Sequence, residues 1–429
     1  MVEYNARLAD YDDVQGDNGK MIKELTIRGF KSFGPDSGPI VLQPLSFVVG
    51  ANASGKTNLA LALRFFHTAM MQDVDLALNE LGGLAETRNR LLRQRKAPKP
   101  LSLSLTFEPF IEGVRFQEKP DKSEPLIRMP RASYELDVDV RRRDEVPVVQ
   151  DERFEADVEK GKRLAKFRLT RNEDLAIIED PLGNKTDEPT QFRVPSQEKS
   201  RLAVGVGFFS LPCVLFRSYV EGWSFFNISP RIARLPARDT ADVHLGPAGE
   251  NLAVLLHKIR RDNGSGTWEA IMSGLRGTVA GFRDVEPLQL PIENKWAYRI
   301  IEDRVKGGFS PDSASDGTIR LLTLLVIAKW CSKQSRLIVI EEPENGLHPH
   351  LAEHLVTTLR EASADCQILV TTHNPDFLDF LEPCEVLICD KIDGLTTIHS
   401  AADRPEINEF QRRFRLGELW EQGALGGIP

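Results

Sequence analysis

The sequence predicts an α/β fold in which a mixed, largely parallel sheet carries a phosphate-binding loop and is joined to an antiparallel β-subdomain and a helical insertion. Three patterns support this fold. The apolar run 47–49 leads through a glycine-rich loop into the apolar helical run 59–63. Residues 101–180 contain runs that alternate with period two, which is typical of an antiparallel sheet with one solvated face. The short apolar runs 337–340 and 368–372 are typical of buried parallel strands.

The composition is that of a globular protein. The chain has 429 residues, of which 41% are hydrophobic and 28% are charged. This length suits two or three domains, or one domain with large insertions. No apolar run approaches the roughly 20 residues of a membrane span, and residues 1–20 are acidic and polar, unlike a signal peptide. We therefore expect a cytoplasmic protein without a membrane segment.

Net charge and cysteine usage bear on whether the protein binds nucleic acid or a metal ion. The net charge of -8 argues against a uniformly basic nucleic-acid binder, although a local basic surface stays possible. The cysteines form no CxxC pair and all but one lie in apolar surroundings, so reduced core thiols are expected rather than a metal site. These cysteines are Cys213, Cys331, Cys366, Cys384 and Cys389.

The first hundred residues contain the start of the predicted fold. Residues 1–20 are rich in aspartate and poor in apolar side chains, which predicts a loosely held leader. Alternation at 25–30 predicts a strand, with residues 40–42 as its hairpin partner. A helix is expected over 56–70, followed by a second helix that ends near Gly82.

The middle of the chain changes character twice. Alternation at 101–105, 134–140 and 167–169 predicts the antiparallel sheet. Beyond Pro212 the pattern becomes helical and aromatic, and residues 249–261 predict a helix with one apolar face, followed by a further helix and short strands. These patterns divide the chain into a leader (1–20), an N-terminal lobe (21–100), the β-subdomain (101–200), a mainly helical insertion (201–310), a C-terminal lobe (311–400) and a tail (401–429).

A run dense in positive charge follows the N-terminal lobe. Such runs are usually a solvated helix face or loop. A contact with DNA or a partner protein is the alternative, because this run stands out from an acidic background. The basic residues of the run are Arg88, Arg90, Arg93, Arg95, Lys96 and Lys99.

The glycine-rich loop fits the phosphate-loop pattern G-x-x-x-x-G-K-[ST], between a strand and a helix. Gly50 and Gly55 let backbone N–H groups turn towards a phosphate at the start of a helix. Lys56 can then reach the terminal phosphates, and Thr57 can offer its hydroxyl to Mg²⁺. A chance glycine turn would not account for the flanking strand and helix. The expected nucleotide contacts are Gly50, Asn52, Ala53, Ser54, Gly55, Lys56, Thr57 and Asn58.

A second group of polar residues lies in the C-terminal lobe. Ser315 and Gly317 begin a strongly apolar helix and could bind an anion, although alone they would be only a helix cap. The strand 337–340 runs into Glu341 and Glu342, of which one can order the Mg²⁺ shell and the next can take a proton from water. The strand 368–372 ends in His373, which can hydrogen-bond a γ-phosphate or stay an ordinary core or surface histidine.

Taken in order, the segments GANASGKT, SDGT, LIVIEEPENGLHP and TTHNP resemble the ABC ATPases of the SMC/RecF/OLD type, especially their compact bacterial AAA-family relatives. Residues 27–33 and 416–420, with Gly426 and Gly427, are also similar to that group. The resemblance spans nearly the whole chain and is weakest at 101–200. It implies the fold of an ABC ATPase head, with ATP and Mg²⁺ as cofactors, and it does not identify a pathway.

The resemblance also implies roles for individual residues. Lys56 and Thr57 would hold the phosphates and Mg²⁺, Glu341 would support the metal, Glu342 would be the catalytic carboxylate and His373 the switch. The family's usual metal-supporting aspartate is a glutamate here, so the division between Glu341 and Glu342 stays open. The glutamine-bearing loop that normally reaches the metal has no evident counterpart in the sequence.

The same resemblance implies an assembly. Ser315 and Gly317 would cap the γ-phosphate bound to a second subunit, with Glu344 and Asn345 at that interface. We therefore expect an ATP-dependent head-to-tail homodimer, or a higher homo-oligomer, with composite sites.

Three functions agree with these expectations. The first is the ATPase subunit of a bacterial anti-phage defence system that acts with a separate effector, a nuclease or a toxin, since the roughly 40 residues after Asp390 are too few for the nuclease domain of OLD proteins. The second is a DNA-repair or DNA-end-binding ATPase, for which the basic run is the motivating feature. The third is an ATP-stabilised scaffold with little turnover. The SDGT segment differs from the LSGGQ of transporters, and no long coiled coil suggests a chromosome clamp.

Overall fold

The computed structural model describes residues 21–91, 100–108, 111–114, 127–140, 147–181, 188–195, 198–206, 210–239, 243–262, 266–290, 293–304, 307–404, 407 and 414–425. The predicted leader, most of the basic run and the glycines at 426–427 lie outside these ranges. The described residues fall into two compact units. Unit 1 is drawn from residues 1–42, 61–221 and 392–397, and unit 2 from residues 43–60, 222–391 and 398–429.

The described strands, in chain order, are β1 (Ile22–Arg28), β2 (Ile40–Val41), β3 (Leu45–Val49), β4 (Leu101–Phe107), β5 (Ile111–Val114), β6 (Ile127–Met129), β7 (Ala132–Val140), β8 (Pro147–Lys160), β9 (Arg163–Asn172), β10 (Leu175–Glu179), β11 (Thr190–Arg193), β12 (Trp223–Phe226), β13 (Ala237–Arg238), β14 (Phe282–Leu290), β15 (Lys295–Glu302), β16 (Leu337–Glu341), β17 (Gln367–Thr372), β18 (Val386–Ile392) and β19 (Leu395–Ser400).

The described α-helices are α1 (Lys56–Met71), α2 (Val74–Glu80), α3 (Leu84–Thr87), α4 (Ala203–Val206), α5 (Leu211–Glu221), α6 (Pro230–Ala233), α7 (Leu252–Arg261), α8 (Thr267–Arg276), α9 (Asp316–Lys329), α10 (Ala352–Ala362) and α11 (Leu416–Glu421). Short 3-10 helices include Pro349–Leu351 and Pro375–Phe380. No described helix has the length and apolar character needed to cross a membrane.

Unit 1 contains a long antiparallel sheet in the order β11-β10-β9-β8-β7-β4-β1-β2, with β5 and β6 beside it. The alternating sequence is the cause, because every second side chain of β4 is buried while its neighbours stay partly exposed. Aromatic rings fill the buried face: Phe216 stacks on Phe154 at a centroid distance of 4.6 Å and on Tyr134 at 5.1 Å. The predicted antiparallel strands, including the β1–β2 hairpin, are confirmed.

A buried polar cluster interrupts this apolar core. Both oxygens of Glu152 accept hydrogen bonds, from Tyr134 Oη at 2.8 Å and from the amides of Ala203 and Val204 at 2.6 and 3.0 Å. The guanidinium of Arg171 lies 3.8 Å from Glu152, and both side chains are 0% exposed. Desolvation raises the pKa of Glu152, while these donors and Arg171 act against that rise. The cluster ties the start of α4 to β8 and was not predicted.

Unit 2 is built on a sheet in the order β12-β16-β17-β3-β18-β19. Neighbouring strands from β12 to β18 run parallel, so their carboxyl ends share one edge. Strands β3 and β17 are buried along their whole length, as expected for parallel strands covered on both faces. The predicted buried strands are confirmed, and the edge they share carries the candidate site.

The segment 201–310 is less helical than its sequence suggested. Helices α5, α7 and α8 form, but the aromatic run 223–226 is strand β12, paired parallel with β16. Strands β13, β14 and β15 form a separate three-stranded sheet. Four consecutive apolar or small residues carry no period that separates a helix from a strand, so pairing with β16 decides the structure.

The described cysteines agree with the expectation of core thiols. Cys384 is exposed and the others are buried, and none is paired in a disulfide. Burial raises the pKa of Cys213 to about 12 and that of Cys389 to about 11, so both stay protonated at neutral pH.

Candidate nucleotide-binding site

The glycine-rich loop joins β3 to α1 in unit 2 and has a backbone that turns inward. Ala53 and Gly55 have φ values of 63° and 123°, both in the left-handed region. The Ser54 amide donates to Ala51 O at 3.2 Å, which closes the turn. A Cβ on Gly50 would lie 2.2 Å from the backbone oxygen of Cys389 on β18. Only glycine fits there, so the first glycine of the motif is required by packing.

Lys56 folds back over this loop. Its Nζ donates to Gly50 O at 2.6 Å and to Ala51 O at 2.9 Å, and the side chain is buried. Burial lowers the pKa of Lys56, while interactions with Cys389, Glu342 and Glu344 raise it. The ammonium is therefore held at the mouth of the loop, beside the start of α1.

The other loop residues differ in exposure. Asn52, Ala53 and Thr57 are exposed, Asn58 is half-buried and Ser54 is buried. The buried Ser54 side chain interacts with Cys389 on β18 and lowers the pKa of its thiol against the larger rise caused by burial. The exposed Thr57 hydroxyl lies in the first turn of α1, where a metal held by phosphates could reach it.

The loop fits the phosphates of a nucleotide, because its glycine cradle, its lysine and the amides of α1 all suit an anion. Mg²⁺ fits less completely on protein ligands alone. Within the described ranges, no group of three or more His, Cys, Asp or Glu side chains could hold a metal ion. Thr57 and Glu341 would therefore share the ion with phosphate oxygens and water, which is how Mg²⁺ is usually bound.

Strand register brings the predicted carboxylates to the same edge. Glu341 on β16 pairs with Thr371 on β17, and Thr371 pairs with Val48 on β3. The loop, Glu341 and Thr372 therefore end three adjacent parallel strands. The sequence predicted that these strand ends lie side by side, because parallel strands place their carboxyl ends at one edge of the sheet.

Glu342 follows β16 directly. Its side chain is 41% exposed and lies beside the imidazole of His373. Its backbone is left-handed, with a φ of 45°, and its amide donates to Thr371 O at 2.8 Å. Its Oε1 lies 3.7 Å from His373 Nδ1, and its Oε2 accepts from Asn345 Nδ2 at 2.9 Å. A left-handed non-glycine residue costs roughly 1–3 kcal/mol and is concentrated at functional sites. The structure thus brings Glu342 and His373 together.

Glu344 is buried beside the end of β17. The resemblance implied an interface position, but its side chain is 7% exposed and turned into its own chain. Its Oε1 accepts from Thr372 Oγ1 at 2.7 Å and from the His373 amide at 3.0 Å. These two donors at the end of β17 need a buried acceptor, which accounts for the inward direction of the Glu344 side chain, and its place at an interface stays a prediction. Asn345 is exposed.

Arg320 is a second site residue that sequence reasoning missed. It lies on α9, is 8% exposed, and its Nη1 is 3.5 Å from Glu342 O. Burial lowers the pKa of Arg320, while Glu344, Asp316 and Glu342 raise it. Its position four residues after Asp316 in an otherwise apolar helix was the available signal, because a charge on a buried helix face needs a partner.

Ser315 caps α9 and faces solvent. Its Oγ accepts from the Thr318 amide at 3.0 Å. Asp316 pairs with Arg234 Nη2 at 2.6 Å, which fixes the start of the helix. A Cβ on Gly317 would lie 2.7 Å from Gly346 O, so the turn after β16 packs on this helix start. Among the described residues, Ser315 contacts Thr318 and Gly317 packs against Gly346.

The described part of the basic run is tied down within unit 1. Arg88 pairs with Asp139 at 2.6 Å and its side chain is 11% exposed. Arg90 is exposed and lies 3.1 Å from Glu86 one helical turn earlier. Arg88 is therefore a structural residue of the sheet, and Arg93 to Lys99 lie outside the described residues.

Comparison with known proteins identifies similar chains. A family model described as "AAA domain, putative AbiEii toxin, Type IV TA system" matches residues 45–379. No curated protein matches the chain. Among solved structures, 188 chains match. An Smc head bound to the C-winged helix domain of ScpA has a TM-score of 0.50 at 13% identity, covering 88% of this chain and 97% of that chain.

Two other SMC heads are similar at lower scores. The head domain from Thermotoga maritima has a TM-score of 0.37 at 15% identity and covers 88% of this chain and 98% of that chain. The Smc head with an extended coiled coil bound to the C-terminal domain of ScpA, from Pyrococcus furiosus, has a TM-score of 0.45 at 12% identity, covering 91% and 99%. Sequence identities this low support a similarity of fold and nothing more. The fold is that of an SMC-type ABC ATPase head.

Proposed function

Because the chain belongs to the AAA-domain family whose model matches residues 45–379, we propose that it binds ATP with Mg²⁺ and hydrolyses the γ-phosphate. One observation carries the proposal. The glycine loop with Lys56, the carboxylate of Glu342 and the imidazole of His373 all lie at the ends of adjacent parallel strands. Phosphoryl transfer depends mainly on such positioning of charge around the transferred group.

Each residue has a distinct task in this proposal. The loop amides and Lys56 hold the β- and γ-phosphates, and Thr57 and Glu341 hold the metal ion. Mg²⁺, when bound, would neutralise charge that develops on the phosphate oxygens. Glu342 accepts a proton from the attacking water. His373 keeps Nδ1 turned towards Glu342 at 3.7 Å, which leaves Nε2 for the γ-phosphate or the water.

Hydrolysis in this proposal needs a second copy of the chain. Ser315 is exposed at the start of α9, and the helix start beside it is fixed by Arg234 and by packing on Gly346. Because the start of α9 is fixed and exposed, it can bind the phosphate of a nucleotide that another chain holds. We propose a head-to-tail homodimer, or a larger assembly of such pairs, in which Ser315 and Gly317 complete the partner's site.

For the biological role, we propose the ATPase subunit of a bacterial defence system that controls a separate effector, such as a nuclease or toxin. The family description, which reads "AAA domain, putative AbiEii toxin, Type IV TA system", supports a place for the chain in such a system. ATP turnover would then time the release or activation of the effector. Co-purification with the products of adjacent genes tests the partnership.

A DNA-repair or DNA-end-binding ATPase is the second candidate. The basic run favours it, but Arg88 is engaged by Asp139, which removes one cation from the proposed contact. This candidate predicts DNA-stimulated turnover and binding that weakens steeply with salt. Charge reversal at Arg90 with unchanged DNA affinity would count against it.

Turnover by the purified chain with ATP and Mg²⁺ tests the central proposal. Glu342→Gln should lower kcat by at least about 100-fold while ATP still binds, because the amide cannot accept the proton. Glu353→Gln, at an exposed carboxylate of α10, is the matched control and should leave kcat unchanged. A scaffold that only stores ATP would show no difference between the two variants, and that result would refute hydrolysis as the function.

A further inference from the structure

Glu344 is a buried carboxylate at the site to which neither the motif nor the reaction gives a task. Its side chain is 7% exposed, and its Oε1 lies within 3.3 Å of His373 Nδ1. The same oxygen accepts from Thr372 Oγ1 and from the His373 amide. A buried carboxylate costs free energy unless its hydrogen bonds recover it, so a single oxygen that accepts two hydrogen bonds from one turn and also lies beside the ring nitrogen of that turn is a specific arrangement.

We propose that Glu344 is the positioning residue for His373: it fixes both the backbone of the switch histidine and the orientation of its ring. This inference rests on the proposed ATPase function. Thr372 ends β17 and His373 follows it, whereas Glu344 lies shortly after β16, so the contact joins the ends of two neighbouring strands. Of the two carboxylates beside His373 Nδ1, Glu344 is the closer and the buried one, at 3.3 Å against 3.7 Å for Glu342.

The geometry explains how the ring is set. With Nδ1 facing Glu344 Oε1 at 3.3 Å and Glu342 Oε1 at 3.7 Å, the proton is favoured on Nδ1. Nε2 lies on the opposite side of the ring and stays available for the γ-phosphate or the water. Hydrogen bonding of one ring nitrogen is the usual way in which a protein chooses the histidine tautomer.

Two buried cations lie near Glu344. Lys56 and Arg320 both interact electrostatically with it, and each is itself buried. Oε2 of Glu344 has no hydrogen-bond partner among the described residues. The carboxylate is therefore held by cations on the loop side and the α9 side, while Oε1 alone holds the histidine turn.

Glu344→Ala in the full-length chain tests the proposal. The expected result is a kcat roughly 10- to 100-fold lower, because misplacing a reacting group by about 1 Å has an effect of this size. ATP affinity should change by less than about twofold, since the phosphate contacts are made by other residues. Glu353→Ala on the exposed face of α10 is the matched control and should behave as wild type.

A double-mutant cycle separates positioning from general structural damage. If Glu344 acts through His373, Glu344→Ala should slow His373→Ala by less than about twofold. A double variant slower by the product of the two single effects would overturn the inference. So would a folded Glu344→Ala protein with wild-type kcat. An inactive wild type would instead overturn both the ATPase proposal and this inference.

Two further variants test the same proposal if Glu344→Ala fails to fold. Glu344→Gln keeps an oxygen acceptor for Thr372 Oγ1 and the His373 amide and an oxygen beside His373 Nδ1, so it should recover kcat to within about fivefold of wild type. Glu344→Leu fills the same space without an acceptor and should stay slow. A folded Glu344→Gln protein as slow as Glu344→Leu would contradict the assigned role.

Discussion

Lys56 Nζ donates a hydrogen bond of 2.6 Å to the backbone oxygen of Gly50, six residues earlier in the same loop. The ammonium thus satisfies two backbone carbonyl groups of the loop. Binding of a phosphate would give the same ammonium an anionic partner, and hydrogen bonds between charged groups are stronger than those to neutral carbonyls.

We therefore predict that Lys56→Met lowers ATP affinity about 10- to 100-fold, the expected loss for one hydrogen bond between charged groups. Methionine keeps most of the apolar stem, so the packing of α1 should survive. Calorimetric titration with ATP and Mg²⁺ measures the change. Lys160→Met, at an exposed lysine that ends β8, is the control. Equal affinity for wild type and Lys56→Met would refute the assignment of the loop.

The loop also depends on close packing at its first glycine. Gly50→Ala would place a methyl group 2.2 Å from the oxygen of Cys389, so either the loop or β18 must move. We expect a loss of about 1–3 kcal/mol in the free energy of unfolding and a fall in ATP affinity of at least about tenfold. Chemical denaturation and ATP titration measure the two effects.

Gly38→Ala is the matched control for this substitution, because no heavy atom lies within 4 Å of the added Cβ. It should leave both stability and ATP affinity close to wild type. If Gly50→Ala proved as harmless as Gly38→Ala, the close approach of β18 to the loop would be wrong.

The residues at the carboxyl edge of the unit 2 sheet could be predicted from the sequence for a physical reason. Short apolar runs flanked by polar residues are typical of buried parallel strands, and parallel strands bring their carboxyl ends together. The positions of Glu342 and His373 follow from that rule. The direction of Glu344 does not, because it depends on the left-handed backbone at Glu342, which turns the chain before Glu344. No side-chain periodicity encodes such a turn.

Unit 1 contains a second feature that could not be predicted from the sequence, the buried position of Glu152. Its strands are visible as period-two alternation, but Glu152 occupies a buried position between Val149 and Phe154. A register shift opposite Asp137 and Val138 breaks the alternation there, so polar Glu152 falls on the core face. A pattern of apolar and polar residues would have assigned it to solvent.

The buried pair in this sheet gives a stability prediction. Glu152→Ala should lower the free energy of unfolding by about 3–5 kcal/mol, because Arg171 would remain buried without its carboxylate and two amides of the α4 start would lose their acceptor. A thermal melt should show a midpoint roughly 10 °C lower for the affected transition.

Glu179→Ala is the control, since Glu179 forms an exposed ion pair with Arg168 and is 46% exposed. Exposed pairs contribute about 0–1 kcal/mol. ATP affinity should stay unchanged in both variants, because neither residue belongs to unit 2. A Glu152→Ala protein as stable as Glu179→Ala would show that the pair contributes no net stability.

The last prediction concerns the composite site. Lys56→Met removes the phosphate-binding lysine, and Ser315→Arg fills the exposed helix start with a long cation, so each variant alone should be inactive. In a mixed dimer, one site combines an intact Lys56 with an intact Ser315. Random mixing in equal amounts should therefore recover about a quarter of wild-type turnover per chain, since half of the dimers are mixed and each has one intact site.

This recovery distinguishes shared sites from sites confined to one chain. Ser315 makes its contacts with Thr318 and leaves its face open, so substitution there should not disturb the phosphate loop of the same chain. Ser315→Arg alone should accordingly bind ATP with wild-type affinity while failing to turn it over. If the mixture stayed inactive although both variants bound each other, or if Ser315→Arg hydrolysed ATP normally, Ser315 would have no part in the reaction and the pocket would belong to a single chain.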